Sequence, residues 1–187
     1  MSVLRWLNVD EFTDTKLNKL VKAAIFAALA IGVGFALLLV PNVELITVLI
    51  FLSGLTLGSG WGMLVGGTAE FIFSALNPVG SGLMFPPLLL SQIISMVIVG
   101  ALGGLLQPFF LRSHYSLLRV GAVGLTGFLL TFIYDSLTTL SYPLSAGFDW
   151  PQVFGIYLSG LSFTILHQVV NTVVFAIGVP RVVKRLV

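Results

Sequence analysis

The 187-residue sequence contains no cysteine, which excludes disulfides, thiolate metal sites and a cysteine nucleophile together. Charge is nearly as scarce: nine Lys and Arg and seven Asp and Glu make up only 9% of the chain. A soluble domain of this size must cover its surface with polar groups, and a chain that is 57% hydrophobic lacks them. The period-two alternation of β-barrel strands is missing as well. No phosphate-binding glycine loop, no G-x-S-x-G elbow and no histidine pair at metal-ligand spacing occurs, so neither ATP hydrolysis nor a metal centre is expected. The net charge of +2 does not point to nucleic acid, because in so apolar a chain basic residues act as topology signals.

What the chain does contain is long apolar runs, such as Ala23 to Val40 and Leu88 to Leu106. Each is near the ~20 residues that cross a ~30 Å hydrocarbon layer as a helix. The first is too long, and too far from the N-terminus, for a removed signal peptide. The expected fold is therefore an all-α integral membrane protein, a six-transmembrane-helix bundle with N- and C-termini cytoplasmic. Its helices are expected at about Val21–Val40, Val43–Leu57, Trp61–Leu76, Leu88–Leu106, Val120–Leu140 and Trp150–Gly178. Pro41-Asn42, Gly58-Ser59-Gly60, Asn77-Pro78, Gln107-Pro108 and Pro180 separate or end them. Residues 1–20 form a cytoplasmic amphipathic segment with Asp10, Glu11, Asp14, Lys16 and Lys19, and residues 21–187 form one domain. The second and third helices are short. A re-entrant pair there would leave every other orientation unchanged, but two spans tilted little are preferred.

Orientation follows from the basic residues. Arg5, Lys16, Lys19, Lys22, Arg112, Arg119, Arg181, Lys184 and Arg185 are every Lys and Arg in the chain. With six crossings they all fall on the cytoplasmic side, as the positive-inside rule requires.

Polar side chains within the spans are few, and an ionisable one is expensive there unless it faces a cavity or a partner. Glu70, Asp135 and His167 are the three that stand out. Thr164, His167 and Asn171 share one helical face, as do Thr131, Asp135 and Thr138, with Tyr134 alongside. Ser91, Gln92 and Ser95 sit near the outer end of the fourth helix. Asn42, Glu44, Asn77, Asp149, Phe85, Tyr142 and Trp150 belong to the outside loops. Together they read as a polar pocket opening outward, with aromatics near its mouth. The competing structural reading is interhelical hydrogen bonding plus one buried Asp–His or Glu–His pair. A catalytic reading, with Asp135 and His167 activating Ser136 or Ser162, has no supporting motif.

Small residues form stripes. Ala23, Ala27, Ala30 and Gly34, with Ala24 and Ala28 alongside, line the first helix, and such surfaces let another helix approach closely. Gly100 and Gly104, and Gly121, Gly124 and Gly127, are read as internal packing.

These features resemble one family, the S components of energy-coupling factor (ECF) transporters, over about residues 20–185. The resemblance is carried by Ala23-Ala24-Ile25-Phe26-Ala27-Ala28, Pro41-Asn42-Val43-Glu44-Leu45, Leu76-Asn77-Pro78, Pro86-Pro87 and the His167-x-x-x-Asn171 face. It implies a prokaryotic cytoplasmic-membrane protein, not an enzyme, that captures a vitamin-like small molecule at the outer face. It also implies docking on a T component, coupled to two ATPase subunits, through Ala23, Ala24, Ala27 and Ala28. Substrate would lie under the loops Pro41–Glu44, Asn77–Pro87 and Ser141–Trp150. The substrate-binding set expected is Asn42, Glu70, Asn77, Gln92, Tyr134, Asp135, Thr138, Trp150, His167 and Asn171, with no cofactor or metal. The first loop is shorter than the lid of many family members, which leaves closure to the other two loops or the mouth wide for a bulky ligand. The alternatives are a small structural or assembly subunit of a larger membrane complex, and a proton-coupled carrier using Glu70, Asp135 and His167.

Overall fold

The structure, a computed structural model, describes the backbone of residues 9–112 and 114–185 and the side chains from Lys16 onward. Of the expected amphipathic segment, residues 1–8 with Arg5, and the side chains of Asp10, Glu11 and Asp14, lie outside what is described. Every described element is helical: α1 Val9–Leu37, α2 Ile46–Leu57, α3 Ser59–Ala75, α4 Pro86–Leu105, α5 Gln107–Phe110, α6 Leu117–Ser145, α7 Trp150–Ser159 and α8 Leu161–Val183. A 3-10 turn, Gly82–Met84, precedes α4. Among the described residues, four helices are long and apolar enough to cross a membrane: Lys16–Leu37 within α1, α4, α6 and α8. The chain thus has the elements of a multi-pass membrane protein.

The fifth apolar helix, α2, has only 12 residues, about 18 Å at ~1.5 Å per residue and well short of a ~30 Å core. It is apolar on all sides, and a helix of that kind is buried on all sides. Ten of its residues are buried, including Ile50, Phe51 and Leu55 at 0% exposure. It begins three residues later than expected because Glu44 and Leu45 belong to the preceding connection.

Glycines set the spacing around α2. A Cβ on Gly54 or on Gly62 would meet the Gly100 carbonyl, one on Gly66 the Met96 carbonyl, and one on Gly103 the Phe51 carbonyl. Helices α2, α3 and α4 are therefore in backbone contact, as small residues in membrane helices allow. Gly104 meets Ser59 and Gly66 meets Met96, so α3 runs antiparallel along most of α4. Gly127 admits Phe175 and joins α6 to α8, while nothing lies near Gly121. Phe51 completes the core against Phe110 and Phe175, with ring centroids 6.3 and 5.2 Å away.

Three boundaries differ from expectation. Helix α1 is continuous through residue 20, with no break between the amphipathic segment and the span. Helix α6 runs through Pro143 to Ser145, where a loop was expected from Ser141. Proline removes one donor, and nearby hydroxyls take up carbonyls on that turn: Ser141 donates to Thr138 at 2.6 Å and Ser145 to Ser141 at 2.7 Å. The last expected helix is two, divided at Gly160. Its start is fixed by a capping box between Asp149 and Gln152, and it continues through Pro180 to Val183.

The alanine stripe of α1 also divides. Ala23 and Ala30 are buried at 4% and 0% exposure, and Ala27 packs on the same core. Ala24 and Ala28 point outward beside Val21, Ile25 and Leu29. The Ala23–Ala27 side of the stripe thus holds α1's own neighbours, and the Ala24–Ala28 side is left facing outward.

Candidate functional site

The polar cluster begins with the connection between α1 and α2. Val43 N–H donates to the Val40 carbonyl at 3.3 Å across Pro41-Asn42, and Asn42 has φ 59°. Proline second and a left-handed Asn third is the type II turn pattern. This turn sends the chain back into the bundle, so Glu44, although it belongs to the connection between α1 and α2, is held among the helices. One of its carboxylate oxygens accepts from Thr47 N–H at 2.9 Å, closing the first turn of α2, where the helix dipole favours an anion. The other accepts from Asn171 Nδ2 at 2.6 Å. Asn171 is the eleventh of the 23 residues of α8, so Glu44 lies level with the middle of that helix.

Helices α6 and α8 supply the rest. His167 Nδ1 is 2.8 Å from Asp135 Oδ1, and its Nε2 is 3.7 Å from Glu44 Oε1. The imidazole is thus flanked by carboxylates on both sides, where the sequence suggested a single Asp–His or Glu–His pair. Asn171 Nδ2 also donates to Thr131 Oγ1 at 3.0 Å and approaches His167 Nε2 at 3.2 Å. The Tyr134 ring stands edge-on to His167, with centroids 6.3 Å apart, and its hydroxyl accepts from Gln92 Nε2 at 3.4 Å. On α3, Glu70 is 1% exposed and accepts from the Ser74 hydroxyl at 2.8 Å.

These groups surround a cavity of about 380 Å³. Asn42, Glu70, Tyr134, Asp135, Thr138 and His167 of the expected set line it. Asn171 lies behind the wall at 0% exposure, and Gln92 reaches the site through Tyr134. Asn77 and Trp150 stand apart: Asn77 closes a local turn onto Val79 N–H at 2.9 Å, and Trp150 is 77% exposed. Ser91 and Ser95 bond to backbone carbonyls of their own helix. Phe85 and Tyr142 join Phe148 in an aromatic group outside the cavity lining.

Lining residues that sequence reasoning left out of the binding set include Glu44, Thr47, Thr139, Phe73 and Phe163. For Glu44 a signal existed: a lone acid between a Pro-Asn turn and an apolar stretch too short to span.

Chemically the cavity is rich in acceptors. Three carboxylates, Glu44, Glu70 and Asp135, face one imidazole, and no Lys or Arg lines it. Gln92 Oε1, Asp135 Oδ2 and Asn171 Oδ1 are buried without a hydrogen-bond partner, and all three are acceptors. Ser136 bonds the Tyr157 hydroxyl at 2.9 Å. Among the described residues no group of His, Asp and Glu is arranged to hold a metal ion. Comparison of the chain with protein-family models, with curated proteins and with solved structures returns no match.

Proposed function

We propose that this chain is the substrate-binding S component of an ECF-type uptake transporter, taking a small organic cation or donor-rich neutral molecule. The observation that carries this reading is the 380 Å³ cavity with its acceptor-rich wall. That volume is at the small end of the ~300–1,000 Å³ usual for ligand pockets. It suits a molecule of one or two rings and disfavours a corrin, narrowing the bulky-ligand alternative. Three carboxylates against one imidazole disfavour an anion, while Tyr134, Phe73 and Phe163 offer ring contacts.

Six crossings with cytoplasmic ends fit this role once the short α2 is counted together with the connection that leads into it. Enclosed by its neighbours, α2 need not span the hydrocarbon alone. Helix α3 accompanies α4 along most of its length, and the basic residues fall on one side of such a bundle. The expected result is ligand retained by purified protein and identified by mass spectrometry, with thiamine binding at least tenfold more tightly than biotin. Equal affinity for the anionic biotin would overturn the charge argument. Absence of any retained or bound small molecule would overturn the S-component reading.

Docking on a T component is assigned to the outward row Ala24 and Ala28. Ala28→Trp is expected to leave ligand binding intact and to abolish uptake in cells carrying the ATPase module. Uptake at the unmodified level in Ala28→Trp would remove that face from the docking role. Ala27→Trp is the poorer probe, because Ala27 packs on the core.

One observation favours a second reading. An imidazole flanked by two carboxylates is also the arrangement of a proton relay in a carrier. Uptake that persists without any ATPase partner and collapses with the proton gradient would establish that reading instead.

A further inference from the structure

We propose that the turn between α4 and α6 is a binding site for an anionic phospholipid, whose phosphate sits between Arg112 and Arg119. The two arginines line one open cavity of about 500 Å³, with Pro108, Phe109 and Ser116. Each is anchored by a backbone carbonyl: Arg112 Nε donates to Pro108 at 3.0 Å, and Arg119 Nη1 donates to His114. One donor of each is used, and a guanidinium carries five N–H donors in a fork that matches phosphate. Tyr115 donates to the Phe110 carbonyl and fastens the same turn.

No carboxylate compensates the pair. The sequence has no Asp or Glu between Glu70 and Asp135, and neither arginine forms an ion pair among the described residues. Beside the charges lies an apolar flank, with Leu117 88%, Leu118 86% and Phe109 66% exposed. A free phosphate would use the guanidiniums and leave this flank in water. A phospholipid covers both, its phosphate on the arginines and its chains on the leucines. The lining offers no carboxylate for the ammonium of a zwitterionic headgroup, which selects an anionic one. The site is independent of the cavity above and of the function proposed for it.

The test is native mass spectrometry of the purified full chain, incubated with phosphatidylglycerol and phosphatidylcholine in equal amounts. Phosphatidylglycerol is expected to be retained preferentially. Arg112→Gln or Arg119→Gln is expected to lower its retention roughly fivefold, and both together roughly 25-fold, from the usual attraction of one basic residue to an anionic lipid surface. Arg181→Gln is expected to leave the ratio unchanged. Equal retention of the two lipids by the unaltered chain overturns the proposal without reliance on any variant. So does full retention by the double variant. Displacement of phosphatidylglycerol by millimolar inorganic phosphate would also overturn it, marking a soluble-anion site.

Discussion

Gly100→Leu is expected to leave no recoverable folded protein, whereas Gly121→Leu is expected to give protein of normal yield and thermal stability. A Cβ at Gly100 would run into the Gly62 carbonyl and come within 2.9 Å of the Met63 nitrogen, and both are backbone atoms. No rotamer change relieves such a collision, so α3 and α4 would have to part. Overpacking by a methylene or two in a core costs ~1–3 kcal/mol even when side chains can yield. Here α2 is also displaced, because Gly54 meets the same Gly100 carbonyl. Total stabilities are only ~5–15 kcal/mol, so parting three helices at once removes most of the margin. Size-exclusion profiles and unfolding midpoints of the purified variants provide the check. A normal midpoint for Gly100→Leu would mean that the three helices do not meet at this glycine.

Asp135→Ala is expected to lower stability by ~3 kcal/mol or more, and the size of the loss reports the state of the His167 cluster. Removing one member of a buried ion pair costs ~3–5 kcal/mol, because the other charge is left uncompensated. An average interhelical hydrogen bond in a membrane protein is worth only ~0.6 kcal/mol. The geometry favours the larger figure. The pair is 2.8 Å apart, its side chains are 14% and 10% exposed, and Glu44 faces the other ring nitrogen. Asp135→Ala with His167→Leu is expected to recover part of the loss, since both partners are then gone. Denaturant unfolding of the two single variants and the double variant measures the coupling. A strictly additive cycle would sever Asp135 from His167 energetically.

Much of the architecture was legible in the sequence, because hydrocarbon demands helices and helices of known length. The shared faces of Thr131, Asp135 and Thr138, and of Thr164, His167 and Asn171, were readable from helical spacing alone. Proline misled at Pro180, where a rule from water ends a helix but packing among membrane helices sustains it, and α6 likewise runs past its expected end through Pro143. The depth of Glu44 was hidden for a different reason. Pro41-Asn42 is a turn signal, and a turn normally means surface. How deep a turn lies is a tertiary property, set here by the partners Asn171 and Thr47 rather than by neighbours in sequence. Likewise, the two sides of the α1 alanine stripe differ only in what packs against them. Arg112 and Arg119 are topology signals in the sequence, and only the folded turn brings them to one cavity with Pro108 and Phe109 of α5.

The sunken connection before α2 also bears on how the molecule is made. Synthesis proceeds from the N-terminus, so Glu44 and the short α2 emerge long before Asn171 and His167 of α8. During that interval Glu44 lacks both partners, and a 12-residue helix cannot anchor itself across the bilayer. The intermediate holding α1 to α6 therefore has an open seam with a carboxylate exposed along it. Arrival of α8 closes that seam and completes the cavity wall in one event. Assembly and site formation are thus coupled through α8, which carries both of the partners that Glu44 awaits.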